Sequence, residues 1–190
     1  MPGRIFLTES VAGQTEPPRL NISPGEEVLT LTADGPQRMR WGLIPSGRVN
    51  ARGRPVMETI INARSETVFD KSAFDGVKRA VVPASGWYEW TGQARRKQPW
   101  RIRRKDGALI WFAAIYDIWQ GPGGISVPQV ATVTCAPSAD VRDIHHRMGV
   151  ILDQSQISQW LEQDSAQAKD LLVPYPDGRL TVEMANDVDW

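Results

Sequence analysis

Short runs of β-branched and aromatic residues, separated by Gly, Pro and Asp, dominate the middle of the chain. Such runs are typical of strands that bury one face against a core. They predict strands at residues 28–31, 39–43, 79–82, 87–91, 100–104, 109–118 and 129–135. The dipeptide Asp106-Gly107 lies between two of these runs and is a strong signal for a tight hairpin turn. Residues 180–188 predict a further strand that returns to the sheet.

Helical spacing of apolar residues is clearest towards the carboxyl end. Asp153 is a suitable helix cap there, followed by apolar residues at i, i+3 and i+4, namely Ile157, Trp160 and Leu161. A second helix is predicted at residues 166–172 and a shorter one at residues 66–74. Residues 13–18 and 121–128 are rich in Gly and Pro and predict loops. The pattern therefore predicts an α+β fold dominated by mainly antiparallel strands, with a few peripheral helices.

The length of 190 residues is that of one ordinary domain, which we expect to span residues 1–190. No run of 18 apolar residues occurs, so no membrane-spanning helix and no membrane partner are expected. The first residues are short of apolar side chains and lack a small-residue cleavage site, so we expect no signal peptide. A lone cysteine, Cys135, excludes an internal disulfide and fits a reducing cytoplasm.

The formal net charge is zero, which argues against general electrostatic adhesion to nucleic acid. Any nucleic-acid binding therefore has to come from a local patch. One is predicted between residues 91 and 105, which include seven basic residues and no acidic one, whereas acidic residues dominate the carboxyl end. Two interpretations stay open for the basic segment: contact with phosphate, or a solvated hairpin loop.

The segment Trp-Tyr-Glu-Trp at residues 87–90 combines aromatic faces with one carboxyl group. Side chains alternate along a strand, so Trp87 and Glu89 are expected to share a face. An indole beside a carboxylate removes water from it and raises its pKa, which suits proton transfer near neutral pH. The alternative is a solvent-exposed Glu89 on the wet face of a strand.

Asn62 and Arg64 are expected to project to the same side if residues 60–66 are extended. An amide donates and accepts hydrogen bonds, which is useful for orienting a sugar hydroxyl or a backbone amine, and a guanidinium binds phosphate bidentately. The alternative is structural: Asn62 caps a turn, and Arg64 pairs with Glu66.

The two histidines of the chain, His145 and His146, are adjacent. A metal site needs three or four ligands, and the sequence has no spaced His or Cys cluster to complete one, so no metal site is expected. Histidine suits proton shuttling because its ordinary pKa is close to physiological pH. A pair of loop histidines bonded to backbone is the alternative. For Cys135 we expect a small buried hydrophobic residue, with a substitute nucleophile as the alternative.

Four ordered segments carry a resemblance to a known family: RWGLIP at residues 40–45, INARSET at 61–67, VPASGWYEW at 82–90 and IHHRM at 144–148. Together they resemble the SRAP family (SOS-response-associated peptidase), almost from end to end. The resemblance implies a monomeric cytoplasmic protein, nucleoid-associated when bound, that captures abasic sites in single-stranded DNA without a cofactor. It implies the following site residues: Pro2, Asn62, Glu89 and His145 as catalytic, and Arg4, Trp41, Arg64, Trp87 and Arg147 as DNA-binding.

Two departures from the family pattern change what the resemblance implies about the reaction. Family members have Met-Cys-Gly-Arg at the amino terminus and link to DNA through that cysteine, whereas this chain has Pro2 there. The family's Arg-Met-Pro is Arg-Met-Gly here, which places Gly149 after Met148. Without the thiol the stable thiazolidine crosslink cannot form.

Three functions therefore stay open at this point. If Met1 is removed, the Pro2 amine is able to form a transient Schiff base with the abasic aldehyde and to act as a lyase. A non-catalytic paralogue that binds single-stranded DNA is the second possibility. A peptidase, which rests on the name of the family and its self-processing, is the third.

Overall fold

The computed structural model describes residues 2–11, 13, 17–45, 51–54, 57–93, 97–186 and 188. The strands in this part are β1 (Ile5–Leu7), β2 (Arg19–Ile22), β3 (Glu27–Thr32), β4 (Gly35–Trp41), β5 (Asn62–Arg64), β6 (Lys78–Ala84), β7 (Gly86–Thr91), β8 (Gln98–Arg104), β9 (Ile110–Gln120), β10 (Ser126–Cys135), β11 (Met148–Gly149), β12 (Ile151–Leu152) and β13 (Leu180–Met184). The helices are α1 (Ile157–Glu162) and α2 (Ser165–Lys169), with single 3-10 turns at Ser72–Phe74, Pro122–Gly124 and Gln154–Gln156.

The larger sheet closes on itself. Its strands β10, β4, β3, β6 and β9 are hydrogen-bonded in that order, and β9 pairs again with β10. The pairing is antiparallel except where β10 runs parallel to β4 and β5. The second half of β10 lies between β5 on one side and β11 on the other, so residues from distant parts of the chain meet at its end.

The smaller sheet is antiparallel throughout, in the order β13, β8, β7, β1, β2. Only Ser85 separates β6 of the larger sheet from β7 of the smaller one, so the chain passes directly between the sheets. Gly86 is the first residue of β7, and a Cβ there would lie 2.4 Å from both the Ile102 carbonyl oxygen and the Phe6 ring. Phe6 in β1 and Ile102 in β8 belong to the same sheet as Gly86, so the neighbouring strands of that sheet leave no room for a side chain at this position.

The hydrophobic core lies inside the closed sheet and between it and the smaller sheet. It includes Trp41, Trp87 and Phe112, each no more than 1% exposed. The indole of Trp160 in α1 donates to the Ala80 carbonyl at 2.8 Å and fastens the helix to β6. Strands β9 and β10 carry long apolar runs because most of their residues are covered on both faces.

The predicted sheet-dominated α+β class is confirmed, and strands form at each of the seven segments predicted in the middle of the chain. The helix predicted at residues 66–74 is wrong, because the backbone there bonds in successive turns and ends in the 3-10 turn Ser72–Phe74. The loop predicted at 121–128 is too long, since β10 begins at Ser126 and pairs with β9. The helix predicted at 166–172 is α2, which ends at Lys169, and the strand predicted at 180–188 is β13, which ends at Met184.

Within the described part of the chain, no helix has the length and apolar character needed to cross a membrane.

Candidate functional site

Asn62 is held by the strand beside it. The parallel pairing of β5 with β10 sets Asn62 opposite Thr132, whose hydroxyl donates to the Asn62 Oδ1 at 2.5 Å. This bond leaves the Nδ2 group of the amide to donate to the Pro2 carbonyl oxygen at 2.8 Å. Because a carbonyl only accepts hydrogen bonds, the amide orientation follows from both partners. The predicted alternative in which Asn62 caps a turn is therefore wrong, because its amide bonds to Pro2 and Thr132.

Pro2 is buried, and it contacts residues from two other segments. Besides Asn62, its neighbour is Gly149 in β11, where a Cβ would lie 3.1 Å from the Pro2 Cγ. A Cβ at Gly149 would also lie 2.4 Å from the Phe112 ring. The φ angle of Gly149 is not in the left-handed region, so it is lack of space, not backbone conformation, that favours glycine here. Pro2 and Gly149, which both depart from the SRAP pattern, thus lie against each other.

Glu89 reaches the same region through the smaller sheet. β1 and β7 pair with Ile5 opposite Trp87, and the Tyr88 amide donates to the Arg4 carbonyl at 2.9 Å. Extending that register by two residues, through Arg4 and Tyr88, puts Gly3, the neighbour of Pro2, opposite Glu89. Trp87 and Glu89 lie two residues apart in β7 and therefore share a face, as expected. The Trp87 ring makes an edge contact with Phe112, at 5.7 Å between centroids, and Phe112 in turn lies against Gly149.

Glu89 is 4% exposed, so the predicted alternative of a solvent-exposed residue is wrong. Burial raises its pKa from 4.5 to about 7, because loss of water disfavours the charged form. Among the described residues, the indole N–H of Trp87 has no hydrogen-bond partner of normal geometry. It nevertheless acts on the Glu89 carboxyl and offsets a small part of the rise in the Glu89 pKa. Glu89 is thus able to give or take a proton near neutral pH.

His145 is half-buried in the turn that precedes β11. Its Nδ1 lies 3.0 Å from the Arg147 backbone nitrogen and 3.1 Å from the Arg147 carbonyl oxygen, so the Arg147 backbone engages it in either tautomer. Burial, together with the neighbouring charge of His146, lowers the pKa of His145 to about 4. The two imidazoles stack at 4.4 Å between centroids. His145 is therefore neutral at physiological pH.

The residues predicted to contact DNA divide into exposed and buried ones. Arg64 is exposed, and Arg4 is partly buried with its guanidinium bonded to the Ser23 hydroxyl. Trp41 is 1% and Trp87 0% exposed, and the Trp41 indole donates to the Ile61 carbonyl at 3.1 Å. Neither indole offers an open face to a base in this structure, because both are core residues.

Arg147 is engaged inside the protein, by Glu66 and Thr134. The predicted alternative in which Glu66 pairs with Arg64 is therefore wrong. Sequence reasoning did not find Thr132 or Thr134 as parts of this region, and it named Glu66 only as a partner for Arg64. Their signal was present in the alternating Thr-Val-Thr at the end of β10 and in the Glu of INARSET.

Cys135 is a buried free thiol, 2% exposed. Burial raises its pKa to about 12, which keeps the thiol protonated and favours the predicted structural role over that of a nucleophile. Among the residues that the structure describes, no three His, Cys, Asp or Glu side chains come together in a way that suits a metal ion.

The basic segment is partly neutralised in the fold. Arg103 pairs with Glu183 at 3.1 Å across β8 and β13, and Arg104 pairs with Asp106 at 2.6 Å. Arg101 lies over the Phe6 and Tyr88 rings. Residues 95 and 96 of the predicted patch lie outside the described residues. A groove of about 510 Å³ beside Asn62 offers Arg64 and Lys71 as further basic groups.

Comparison with protein families gives a match over nearly the whole chain. The family described as SOS response associated peptidase (SRAP) matches residues 4–188. The chain is 34% identical over 169 residues to the abasic site processing protein YoaM of Bacillus subtilis (strain 168), covering 83% of this chain and 73% of that protein. It is 35% identical over 148 residues to the abasic site processing protein HMCES of Gallus gallus, covering 65% of this chain and 44% of that protein.

Solved structures of two bacterial proteins are similar to this fold. One is a protein from Bacteroides thetaiotaomicron, with a TM-score of 0.76 and 26% identity, covering 88% of this chain and 78% of that chain. The other is a phage-related protein from Bordetella bronchiseptica, with a TM-score of 0.74 and 26% identity, covering 97% of this chain and 94% of that chain.

Proposed function

Because the chain belongs to the SRAP family (SOS response associated peptidase), we propose that it processes abasic sites in DNA, as the names of its relatives indicate for them. We propose further that the DNA is single-stranded and that the reacting group is the amine of Pro2, exposed by removal of Met1. The protein acts as a single domain and a monomer in the cytoplasm, and the family match over residues 4–188 supports the single domain.

The observation that carries this proposal is the bond from the Asn62 amide to the Pro2 carbonyl, 2.8 Å long and backed by Thr132. A buried carbonyl needs a hydrogen-bond partner, and for Pro2 that partner is a side chain from a distant strand instead of another backbone group. The bond holds the backbone of Pro2 in one orientation, which is what a backbone amine requires in order to attack a bound aldehyde.

The proposed reaction balances without a cofactor. The secondary amine of processed Pro2 adds to the aldehyde carbon of the opened abasic sugar and gives a carbinolamine. Loss of its hydroxyl as water then leaves a cationic iminium ion. Pro2 has no thiol to close a stable ring, so the iminium either takes up water and returns to amine and aldehyde, or loses a C2′ proton and eliminates the 3′ phosphate.

Glu89 and His145 supply the proton transfers that these steps need. A carboxyl with a pKa of about 7 is present in both protonation states near neutral pH, so Glu89 suits the removal of a proton from the amine and its return to the leaving hydroxyl. His145 is neutral at that pH, and its Nε2 is left for the substrate because Nδ1 is engaged by the Arg147 backbone. We assign phosphate contacts to the exposed Arg64 and to Arg4, with Lys71 on the groove beside Asn62.

The experiment starts with the intact mass of the purified protein, which shows whether Met1 has been removed. Mass-verified protein is then incubated with a single-stranded oligonucleotide that has one abasic site, with and without borohydride. A conjugate that requires borohydride, together with strand cleavage in its absence, is expected. The matched controls are protein that retains Met1, which should give no conjugate, and Pro2→Cys, which should give a stable one without reductant. No trapping by methionine-free protein would overturn the covalent step.

A binding module without covalent chemistry is the second candidate, and the absence of the thiol at position 2 favours it. Fluorescence anisotropy with single- and double-stranded oligonucleotides separates it from a protein that does not bind DNA. Preference for the single strand, with affinity that falls as salt is added, is expected from phosphate contacts and exposed bases. Equal and salt-insensitive binding to both would overturn the DNA proposal altogether.

A further inference from the structure

The guanidinium of Arg147 is held on two sides by the protein itself. It makes two parallel bonds to the Glu66 carboxylate, Nη1 to Oε1 at 2.5 Å and Nη2 to Oε2 at 2.9 Å. Its Nη2 also donates to the Thr134 carbonyl at 2.5 Å and lies 3.3 Å from the Thr134 hydroxyl. The Arg147 side chain is 15% exposed, whereas that of Glu66 is 55% exposed, so the guanidinium is largely covered and the carboxylate faces solvent. A bidentate pair of this kind fixes orientation as well as distance.

These three residues, Glu66, Arg147 and Thr134, form a clamp between two segments of the candidate site. Glu66 follows β5, which supplies Asn62, and Thr134 stands opposite Arg64 at the end of β10. Arg147 lies two residues after His145 in the turn that leads into β11. The clamp therefore ties the strand that holds the Asn62 amide to the turn that holds the His145 imidazole.

The backbone of Arg147 is also what holds the His145 ring. The backbone nitrogen and carbonyl oxygen of Arg147 lie 3.0 Å and 3.1 Å from the His145 Nδ1. On its other side the turn is closed by the bond from the His145 amide to the Val141 carbonyl at 2.9 Å. Any movement of Arg147 therefore changes the direction in which the His145 Nε2 points.

We propose that Glu66 and Arg147 are positioning residues, which hold the His145 imidazole in the orientation needed for proton transfer to the substrate at Pro2. This assignment rests on the proposed function. It gives Arg147 an internal role, because its guanidinium is bonded to the Glu66 carboxylate and to Thr134. Hydrogen bonding to Arg147 lowers the pKa of Glu66 to about 2, so the clamp stays closed throughout the pH range in which His145 titrates.

The first test follows the two histidines directly. With only His145 and His146 in the chain, a histidine-labelled sample gives two sets of imidazole NMR signals, whose pKa and tautomer are read without DNA. In Glu66→Gln the His145 pKa is expected to rise from about 4 towards 6.5, since a released ring regains water. Arg147→Lys keeps the positive charge but loses the bidentate geometry, and it is expected to raise the His145 pKa as well.

The matched control is Glu183→Gln, which breaks another Arg–Glu pair, Arg103–Glu183, outside the candidate site. It should leave both histidine signals unchanged. Circular dichroism confirms that each variant is folded. The proposal would be overturned if His145 kept its wild-type pKa and tautomer in both Glu66→Gln and Arg147→Lys.

The second test separates positioning from binding. Borohydride trapping by Glu66→Gln is expected to be about 10- to 100-fold slower, since misplacement of a proton-transfer group by about 1 Å has an effect of this order. Its affinity for the abasic oligonucleotide should match that of the wild type. A trapping rate equal to that of the wild type would overturn the positioning role. If the wild type traps no DNA at all, the proposed function fails, while the NMR measurement still decides whether the clamp orients His145.

Discussion

Gly149→Ala is the perturbation that tests most sharply how Pro2 is accommodated. The added Cβ would lie 2.4 Å and 2.5 Å from two Phe112 ring carbons and 3.1 Å from the Pro2 Cγ. Carbon atoms are comfortable at about 3.5–4.0 Å, so the Phe112 ring has to retreat by roughly 1 Å. Phe112 is 0% exposed and packs against Trp87, so it has no free volume to enter.

Two opposing effects decide the size of the loss. Replacing glycine by alanine stabilises a protein by about 0.4–1 kcal/mol through the unfolded chain, whereas overpacking a filled core costs about 1–3 kcal/mol. The balance is a destabilisation of about 1–2 kcal/mol. For a chain of this length, that corresponds to a Tm lower by about 2–8 °C. Calorimetry measures the Tm, and urea denaturation measures the free energy of unfolding.

Gly121→Ala is the matched control, since its Cβ would lie 2.5 Å from the Trp119 ring, nearly the same distance. Trp119 is partly exposed, so its ring is free to turn into solvent, and the change should stay within about 0.5 kcal/mol. Pro2→Ala removes the Cγ and should recover part of the Gly149→Ala loss in a double-mutant cycle. Equal Tm changes in the two glycine variants, or strict additivity with Pro2→Ala, would refute this reasoning.

Three further predictions concern single groups of the site. Burial raises the pKa of Glu89 from 4.5 to about 7 in the folded protein, so the folded state binds this proton more tightly than the unfolded state does. The contribution of the protonated carboxyl to the free energy of unfolding is therefore complete below pH 4.5 and is lost as the pH rises to about 7. Glu89→Gln should therefore gain about 3 kcal/mol relative to the wild type between pH 4.5 and 8 in urea denaturation, and parallel pH profiles would contradict this. Asn62→Ala leaves the Pro2 carbonyl and the Thr132 hydroxyl without their bonds and should cost about 1–3 kcal/mol, whereas a change below 0.5 kcal/mol would show that the amide is dispensable for the fold. The buried thiol of Cys135, with its pKa raised to about 12, should react with an alkylating reagent only after urea is added, as followed by intact mass, and rapid labelling of the native protein would disprove its burial.

The candidate site is built from four separate stretches of chain. Motifs in the sequence identified its functional groups, but they did not give the distances between those groups. Asn62 and Glu89 were selected by their chemistry and by the resemblance. The bond from Asn62 to Pro2, and the contact of Pro2 with Gly149, depend on strands that pair across long separations. The strands β5 and β11 are too short to show an alternation of apolar and polar residues that would predict them. They form because each pairs with β10.

Charge shows the same division. In the sequence the basic segment and the acidic carboxyl end look segregated, yet the pairing of β8 with β13 brings Arg103 against Glu183. Likewise Glu66 looked like a partner for Arg64 two residues away, but β5 ends at Arg64 and the chain turns there, and Arg147 reaches Glu66 from across β10.

Local alternation and turn residues therefore determined the strand content and fold class, since side-chain direction in a strand depends only on neighbouring residues. The pKa of about 7 for Glu89, the orientation of His145 and the space around Pro2 were decided by the tertiary structure alone. Each of these properties depends on which distant atoms exclude water from a group or occupy the volume beside it, and those atoms are brought there by the long-range pairing of the sheets.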